Sequence, residues 1–300
     1  MEVFIMQNKH IEHPEDSILT GDLTVLDWFA GGGNISAKID GAPAIVWGRN
    51  PANGKFFVGT KSVFNKKKIM INHCHEDIDK NHKTPVSDIL HACFDNLPRT
   101  HKIYQGDFIG YGGDEHYTPN TITYYFDEVV TSNIIIAPHT LYTAEDDLRN
   151  AIAHPLKYFT HSDNEDVKWV RPKITIDEHL DDIKDYCNFA RQMSTMVEFV
   201  NDKQAANIKK QLNAHIRELS EIEDDGFDCD PNLIRLWKLV ESIKLDMLAF
   251  VERTDDITCY IEEEECDHEG YVLANQFGTF KIVHRDIFSY HNFAHSRFSN

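Results

Sequence analysis

The sequence predicts an α+β protein in which an antiparallel, β-rich domain is interrupted by a block of helices. Three observations lead there. Residues 36–130 contain short apolar runs bounded by Gly, Pro, Asn and Asp, the mark of turn-linked strands. Residues 174–250 change to apolar spacing of three and four, the mark of amphipathic helices. After Thr254 the short β-type runs return. Residues 1–168 are therefore expected to form the first part of one domain, 169–254 a helical insertion, and 255–300 the strands that complete the domain.

The elements follow in order. An apolar patch, Val25-Leu26-Asp27-Trp28-Phe29, predicts a short helix or loop section before Gly31-Gly32-Gly33. A phosphate-binding loop needs Gly-Lys-Ser/Thr opening a helix, whereas Asn34-Ile35-Ser36 follow here, so the glycines read as a flexible turn. The run SAKIDGAPAIVWG alternates at first, placing Lys38 and Asp40 on one face of an expected strand. Ala44–Gly48 and Lys55–Thr60 flank Asn50-Pro51-Ala52-Asn53-Gly54, a hairpin turn. Val86–Phe94 reads as a helix, and Ile103–Tyr111, Thr121–Val130 and Asn133–Ala137 as strands. Helices are expected over Ile174–Val200, Ala205–Ile222 and Leu233–Phe250, the last with Asp230 as N-cap and Pro231 at its first position. Ile257–Ile261, Gly270–Ala274 and Thr279–Val283 are the final strands.

Composition limits the function classes. Hydrophobic residues are 41% and charged residues 26% of 300, ordinary for a globular chain, and no apolar run reaches membrane-spanning length. The N-terminal stretch does not read as a signal peptide, and six scattered cysteines fit free thiols, so a cytoplasmic location is expected. A net charge of −19 argues against non-specific coating of nucleic acid, although Lys55, Lys61 and Lys66-Lys67-Lys68 leave room for a local basic groove. His73-Cys74-His75 with His82 has loose ligand spacing, so zinc is not expected there. His10 and His13 are read as structural or surface residues.

Charged residues that interrupt strand patterns are the candidates for chemistry. They are Lys38 and Asp40 in KIDG, Lys61 in VGTKS, Asp107 in YQGDFIG, Glu269 in HEGYVL and Lys281 in TFKIV. Several adjoin glycine, which permits close approach of a ligand to the backbone. A lysine activated by neighbouring positive charge can attack the α-phosphate of a nucleoside triphosphate while carboxylates hold a divalent metal.

In order and type these segments resemble the covalent nucleotidyltransferase superfamily of ATP-dependent DNA and RNA ligases and mRNA capping enzymes. KIDG matches the family's Lys-x-Asp-Gly motif, which implies that Lys38 becomes adenylylated, with Asp40 and Gly41 beside the nucleotide. FVGTKS is similar to the next motif, with Lys61 where a phosphate-contacting arginine is usual. YQGDFIG is similar to the third, with Asp107 replacing the usual glutamate. TYYFDEVV resembles the following aromatic strand, where Phe126 or Tyr124 would stack on adenine. EGYVL matches the fourth motif, implying that Glu269, with Asp107, holds metal. FKIV matches the fifth in part: Lys281 is present, Val283 stands at the second lysine position, and Arg285 is the nearby cation that could replace it. The likeness spans about residues 36–130 and 255–285 and extends to ligase-like proteins of large tailed phages, notably through GAPAIVWG and NPANGKFFVGTKSVFNK.

The resemblance implies a ligase-type nucleotidyltransferase (adenylation) fold, and with only fifteen residues after Arg285 no C-terminal OB-fold is expected. It also implies ATP and Mg²⁺ (or Mn²⁺), a lysyl-AMP intermediate, and the joining of 5′-phosphate to 3′-hydroxyl ends, RNA favoured over DNA. A phage-encoded chain would act in the host cytoplasm. No membrane partner is expected, while a protein partner or a dimer through the helical subdomain is. Two other readings are a non-catalytic nucleotide-binding module derived from a ligase and an AMP transferase to a non-nucleic-acid acceptor.

Overall fold

The computed structural model describes residues 11–176, 180–254, 257–266 and 268–286, so His10 lies outside the described residues. The helices are α1 (Pro14–Ser17), α2 (Thr24–Ala30), α3 (His75–Asn81), α4 (Val86–Asn96), α5 (Asp181–Ser194), α6 (Asp202–Glu218) and α7 (Pro231–Leu248). The strands begin with β1 (Asn34–Ala37), β2 (Ala44–Arg49), β3 (Phe56–Gly59), β4 (Ile103–Tyr111), β5 (His116–Tyr117) and β6 (Thr123–Phe126). They continue with β7 (Ile134–Thr143), β8 (Ile152–Pro155), β9 (Val167–Trp169), β10 (Lys173–Ile176) and β11 (Val251–Thr254). The last are β12 (Ile257–Ile261), β13 (Glu264–Cys266), β14 (Tyr271–Asn275) and β15 (Gly278–Ile282). The class is α+β with several antiparallel sheets.

The described chain forms two compact units, cut differently from the expected boundaries. The first takes residues 39–172 and 257–268; the second takes residues 11–38, 173–254 and 269–286. The division falls inside KIDG, between Lys38 and Ile39, and again between His268 and Glu269.

The first unit holds a sheet of order β3-β2-β4-β7-β8, antiparallel throughout, with β9 added parallel to β7. Its core gathers Trp47, Tyr104, Trp169 and the apolar face of α4, including Leu90 and Cys93. The Asn50–Gly54 turn closes the β2–β3 hairpin as its Pro, Asn and Gly content requires, with Gly54 at φ +71°. A second sheet runs β13-β12-β6-β5.

The second unit packs α2, α5, α6 and α7 with the sheet β1-β14-β15 and the pair β10-β11. Trp28, Phe29, Ile183, Leu212, Trp237 and Leu273 join one core. Asp230 caps α7 by accepting from the Asn232 amide, and Pro231 opens it at a position where no backbone donor is needed.

Three expectations change. Residues 174–176 are strand rather than helix, because Ile174-Thr175-Ile176 is a β-branched run that pairs with β11, and the helix starts only at Asp181. The strand expected over Thr121–Val130 shrinks to β6, since Asp127 and Glu128 are exposed beyond it. Lys38 and Asp40 lie past the end of β1, not within a strand.

Candidate functional site

In the second unit, one end of the sheet β1-β14-β15 brings together Lys38, Glu269 and Lys281. Strand β1 pairs with β14 so that Ala37 faces Tyr271, and the pairing is carried past the strand end by two further bonds. The Lys38 amide donates to the Gly270 carbonyl at 2.8 Å, and the Glu269 amide donates to the Lys38 carbonyl at 3.1 Å. These bonds place the two residues opposite each other, and the Lys38 ammonium donates to the Glu269 carboxylate. Both side chains are partly exposed. Gly270 permits the approach: it sits at φ +112°, and a Cβ there would lie 2.6 Å from the Ile282 carbonyl oxygen and from Val283.

Lys281 lies on β15 opposite Val272 of β14. Burial lowers its pKa, the Lys38 charge lowers it further, and Glu269 acts in the opposite sense. The three groups therefore share one electrostatic site: two amines that repel and a carboxylate that attracts both.

Behind this site is a buried ionic cluster that sequence reasoning missed. Glu15, fully buried, accepts from Lys244 Nζ and from Arg285, each at 2.8 Å. Asp16 accepts from Arg285 at 2.9 Å and from the Trp237 indole at 3.1 Å. Arg285 also donates to Asn213 at 2.7 Å. Arg285, expected to reach a phosphate, is thus turned inward, because two carboxylates and an amide oxygen already satisfy its fork. His13 belongs to the same cluster; burial and then Arg285 hold it down to about 2, so it is neutral. Of this group only His13 and Arg285 stood out in the sequence; Glu15 and Asp16 follow Pro14 in the first turn of α1.

The remaining expected residues belong to the first unit. Asp40 is buried and also turned inward. It accepts from Asn120 Nδ2 at 2.8 Å and from the Thr121 and Ile122 amides at 2.8 and 3.1 Å, while its own amide donates to the Tyr124 hydroxyl. It therefore ties loop 120–122 in place instead of facing a ligand. Gly41 passes against β4, where a Cβ would be 2.7 Å from the Asp107 Cβ. Asp107 is partly exposed, with its carboxylate 3.5 Å from His139 Nε2. His139 occupies a bulge in β7, since Gln105 pairs with Thr140 but Gly106 with Pro138, and the extra residue is re-aimed as bulges do. Lys61 is exposed at the start of the 3₁₀ turn Lys61–Phe64. Phe126 is buried edge-on to Tyr117, and Tyr124 is buried against Asp40.

The second unit also contains a cleft of about 500 Å³ between the Gly31-Gly32-Gly33 turn and Ile174-Thr175-Ile176, bordered by Lys184. None of the expected site residues lines it.

A family model described as a family of unknown function, DUF6267, matches residues 8–227 and 228–297. The chain belongs to DUF6267. No curated protein and no solved structure matches it. For this DUF6267 chain the chemistry has to be read from its own residues. Among the described residues, no helix is long and apolar enough to cross a membrane.

Proposed function

We propose that the chain is an ATP-dependent nucleotidyltransferase of the polynucleotide-ligase type, with a ligase-like adenylation fold. The observation that carries the reading is the meeting of Lys38 with Glu269 and Lys281, which come more than two hundred residues later in the chain yet lie at the same end of one sheet. In the proposed reaction the Lys38 ammonium first gives up a proton, with Glu269 as the nearest base. The Lys38 Nζ then bonds to the α-phosphorus of ATP as the bond from that phosphorus to the bridging oxygen breaks, and pyrophosphate leaves. Lys281 offsets the charge growing on the phosphates. A 5′-phosphate end next displaces Lys38 from the adenylyl group, and a 3′-hydroxyl displaces AMP to close the strand; RNA ends are favoured.

Glu269 fits a metal-holding role, because Mg²⁺ is ordinarily held by one or two carboxylates together with substrate phosphates. Bound there, Mg²⁺ or Mn²⁺ would supply charge neutralisation on the triphosphate. The family resemblance assigns Asp107 to ribose and metal, Lys61 to phosphate and Phe126 to base. The proposal itself rests on the second unit's three residues.

One observation favours the alternative of a nucleotide-binding module without turnover. Arg285 is committed to Glu15 and Asp16, so it does not replace the lysine absent at Val283. Incubation of the full chain with α-labelled ATP and Mg²⁺ separates the readings. The enzyme retains label after denaturation, and Lys38→Ala loses it. Nucleotide binding without covalent label, or label that persists in Lys38→Ala, overturns the proposal.

A further inference from the structure

A second constellation lies in the first unit, on the two helices α3 and α4, and owes nothing to the proposed ligase site. His75 stands at the start of α3 and His91 in the middle of α4, with their Nδ1 atoms 2.6 Å apart. The rings are inclined by only 21° and their centres are 4.9 Å apart. That separation is little more than the Nδ1···Nδ1 distance plus two ring radii, so the imidazoles meet edge to edge in nearly one plane. The far nitrogen of each ring is held by a carboxylate: His75 Nε2 is 3.0 Å from Asp95, and His91 Nε2 is 2.9 Å from Asp79.

The protons follow from these partners. A carboxylate only accepts, so each Nε2 carries its hydrogen, and the contact between the two Nδ1 atoms then needs a cation between facing lone pairs, a proton or a metal ion. Two lone pairs aimed at each other across 2.6 Å repel unless a cation lies between them. We propose that His75 Nδ1 and His91 Nδ1 bind a divalent transition-metal ion of the kind that prefers imidazole, such as Zn²⁺, Co²⁺ or Ni²⁺.

The chemistry suits that ion. A histidine ligand whose second nitrogen donates to a carboxylate has the tautomer and basicity a metal needs, and here both histidines are so arranged. At a metal–nitrogen distance of about 2.0–2.1 Å, a tetrahedral site holds its nitrogens about 3.3 Å apart, an opening of less than ~1 Å from the present separation. Both imidazoles are partly exposed, so they can turn by that amount. Among the described residues no group of three or more His, Cys, Asp or Glu side chains is placed to hold a metal, so solvent completes the coordination. His73 and His82, grouped with His75 in the sequence, are engaged elsewhere: His73 with the Phe56 carbonyl and His82 with Asn72. The bound ion would clip α3 to α4.

The test is titration of the full-length chain with Co²⁺ followed by its visible absorption, with Zn²⁺ calorimetry alongside. One equivalent should bind and raise the melting temperature. His75→Ala and His91→Ala should each weaken binding at least tenfold, while His116→Ala, at an exposed histidine on β5, should not. Asp95→Asn, which keeps the fold and shape but removes the anchoring charge, should weaken it about tenfold. Absence of stoichiometric binding in the folded wild type overturns the proposal and leaves a proton as the shared cation. So does binding that is undiminished in the folded His91→Ala protein.

Discussion

The Lys38 ammonium donates to the Glu269 carboxylate, and the Glu269 amide donates to the Lys38 carbonyl just past the end of β1. A partly exposed ion pair of this kind contributes little stability, typically ~0–1 kcal/mol. Its value lies in orientation. Glu269→Gln should therefore melt within a few degrees of wild type yet lose covalent labelling by α-labelled ATP by about a hundredfold or more. Labelling at the wild-type rate would remove Glu269 from the chemistry.

Lys281 should likewise separate stability from activity. Burial, followed by the Lys38 charge, lowers its pKa from the ordinary lysine value of 10.5. Between the lowered value and 10.5 the unfolded chain binds more protons, so stability rises with pH in that window. At neutral pH the charged, half-desolvated amine is a burden. Lys281→Met should melt at the same temperature as wild type or higher at pH 7, and that margin should shrink as pH approaches 10.5. Labelling should fall about 10²–10³-fold. Melting curves against pH together with a labelling assay check both halves.

Gly270 tests how closely the site depends on backbone approach. An added Cβ would lie 2.6 Å from the Ile282 carbonyl oxygen at a φ of +112°. Gly270→Ala should lose at least ~1–3 kcal/mol in denaturant titration, the scale of such backbone strain. A variant as stable as wild type would show that the β14–β15 register is not what holds Glu269.

Acid should expose the buried cluster in two stages. His13 is held at about 2 by burial and by Arg285, against 6.5 when unfolded, so stability falls as pH drops below about 6.5. Burial alone would raise Glu15, but Lys244 and Arg285 prevail and hold it at about 2, so its contribution is lost only below 4.5. Burial also lowers His82 and His161, so they too weaken stability as pH falls below 6.5, and the readout is the difference between wild type and variant. His13→Gln should flatten the melting profile between pH 6.5 and 4.5 and leave the lower limb. Lys244→Met should cost about 3–5 kcal/mol at neutral pH by leaving Glu15 short of a partner.

Asp40 should behave as a structural residue. Asp40→Ala leaves the Thr121 and Ile122 amides without their acceptor, a loss of ~1–3 kcal/mol for each buried donor left unpaired. Chemical denaturation should show the loss directly. Wild-type stability with weakened nucleotide binding would instead return Asp40 to the ligand.

Much of this protein was legible from residue order alone, because the forces involved act over a few positions. The Asp230-Pro231 cap, the apolar stripes of α6 and α7, the NPANG turn and the nine-residue strand Ile103–Tyr111 are each decided by neighbours in the chain. Glycine beside Glu269 was visible too, since a close backbone approach excludes a Cβ. What tertiary structure alone decided is which way a charged side chain turns. Asp40 and Arg285 both point inward, because a buried carboxylate or guanidinium must find partners and the partners lie at Thr121 and at Glu15. The aim of His139 depends on a bulge in strand pairing, and the facing of His75 and His91 on two helices packed side by side. Periodicity specifies which face of an element is buried; it carries no record of the residue a hundred or two hundred positions away that will meet it there.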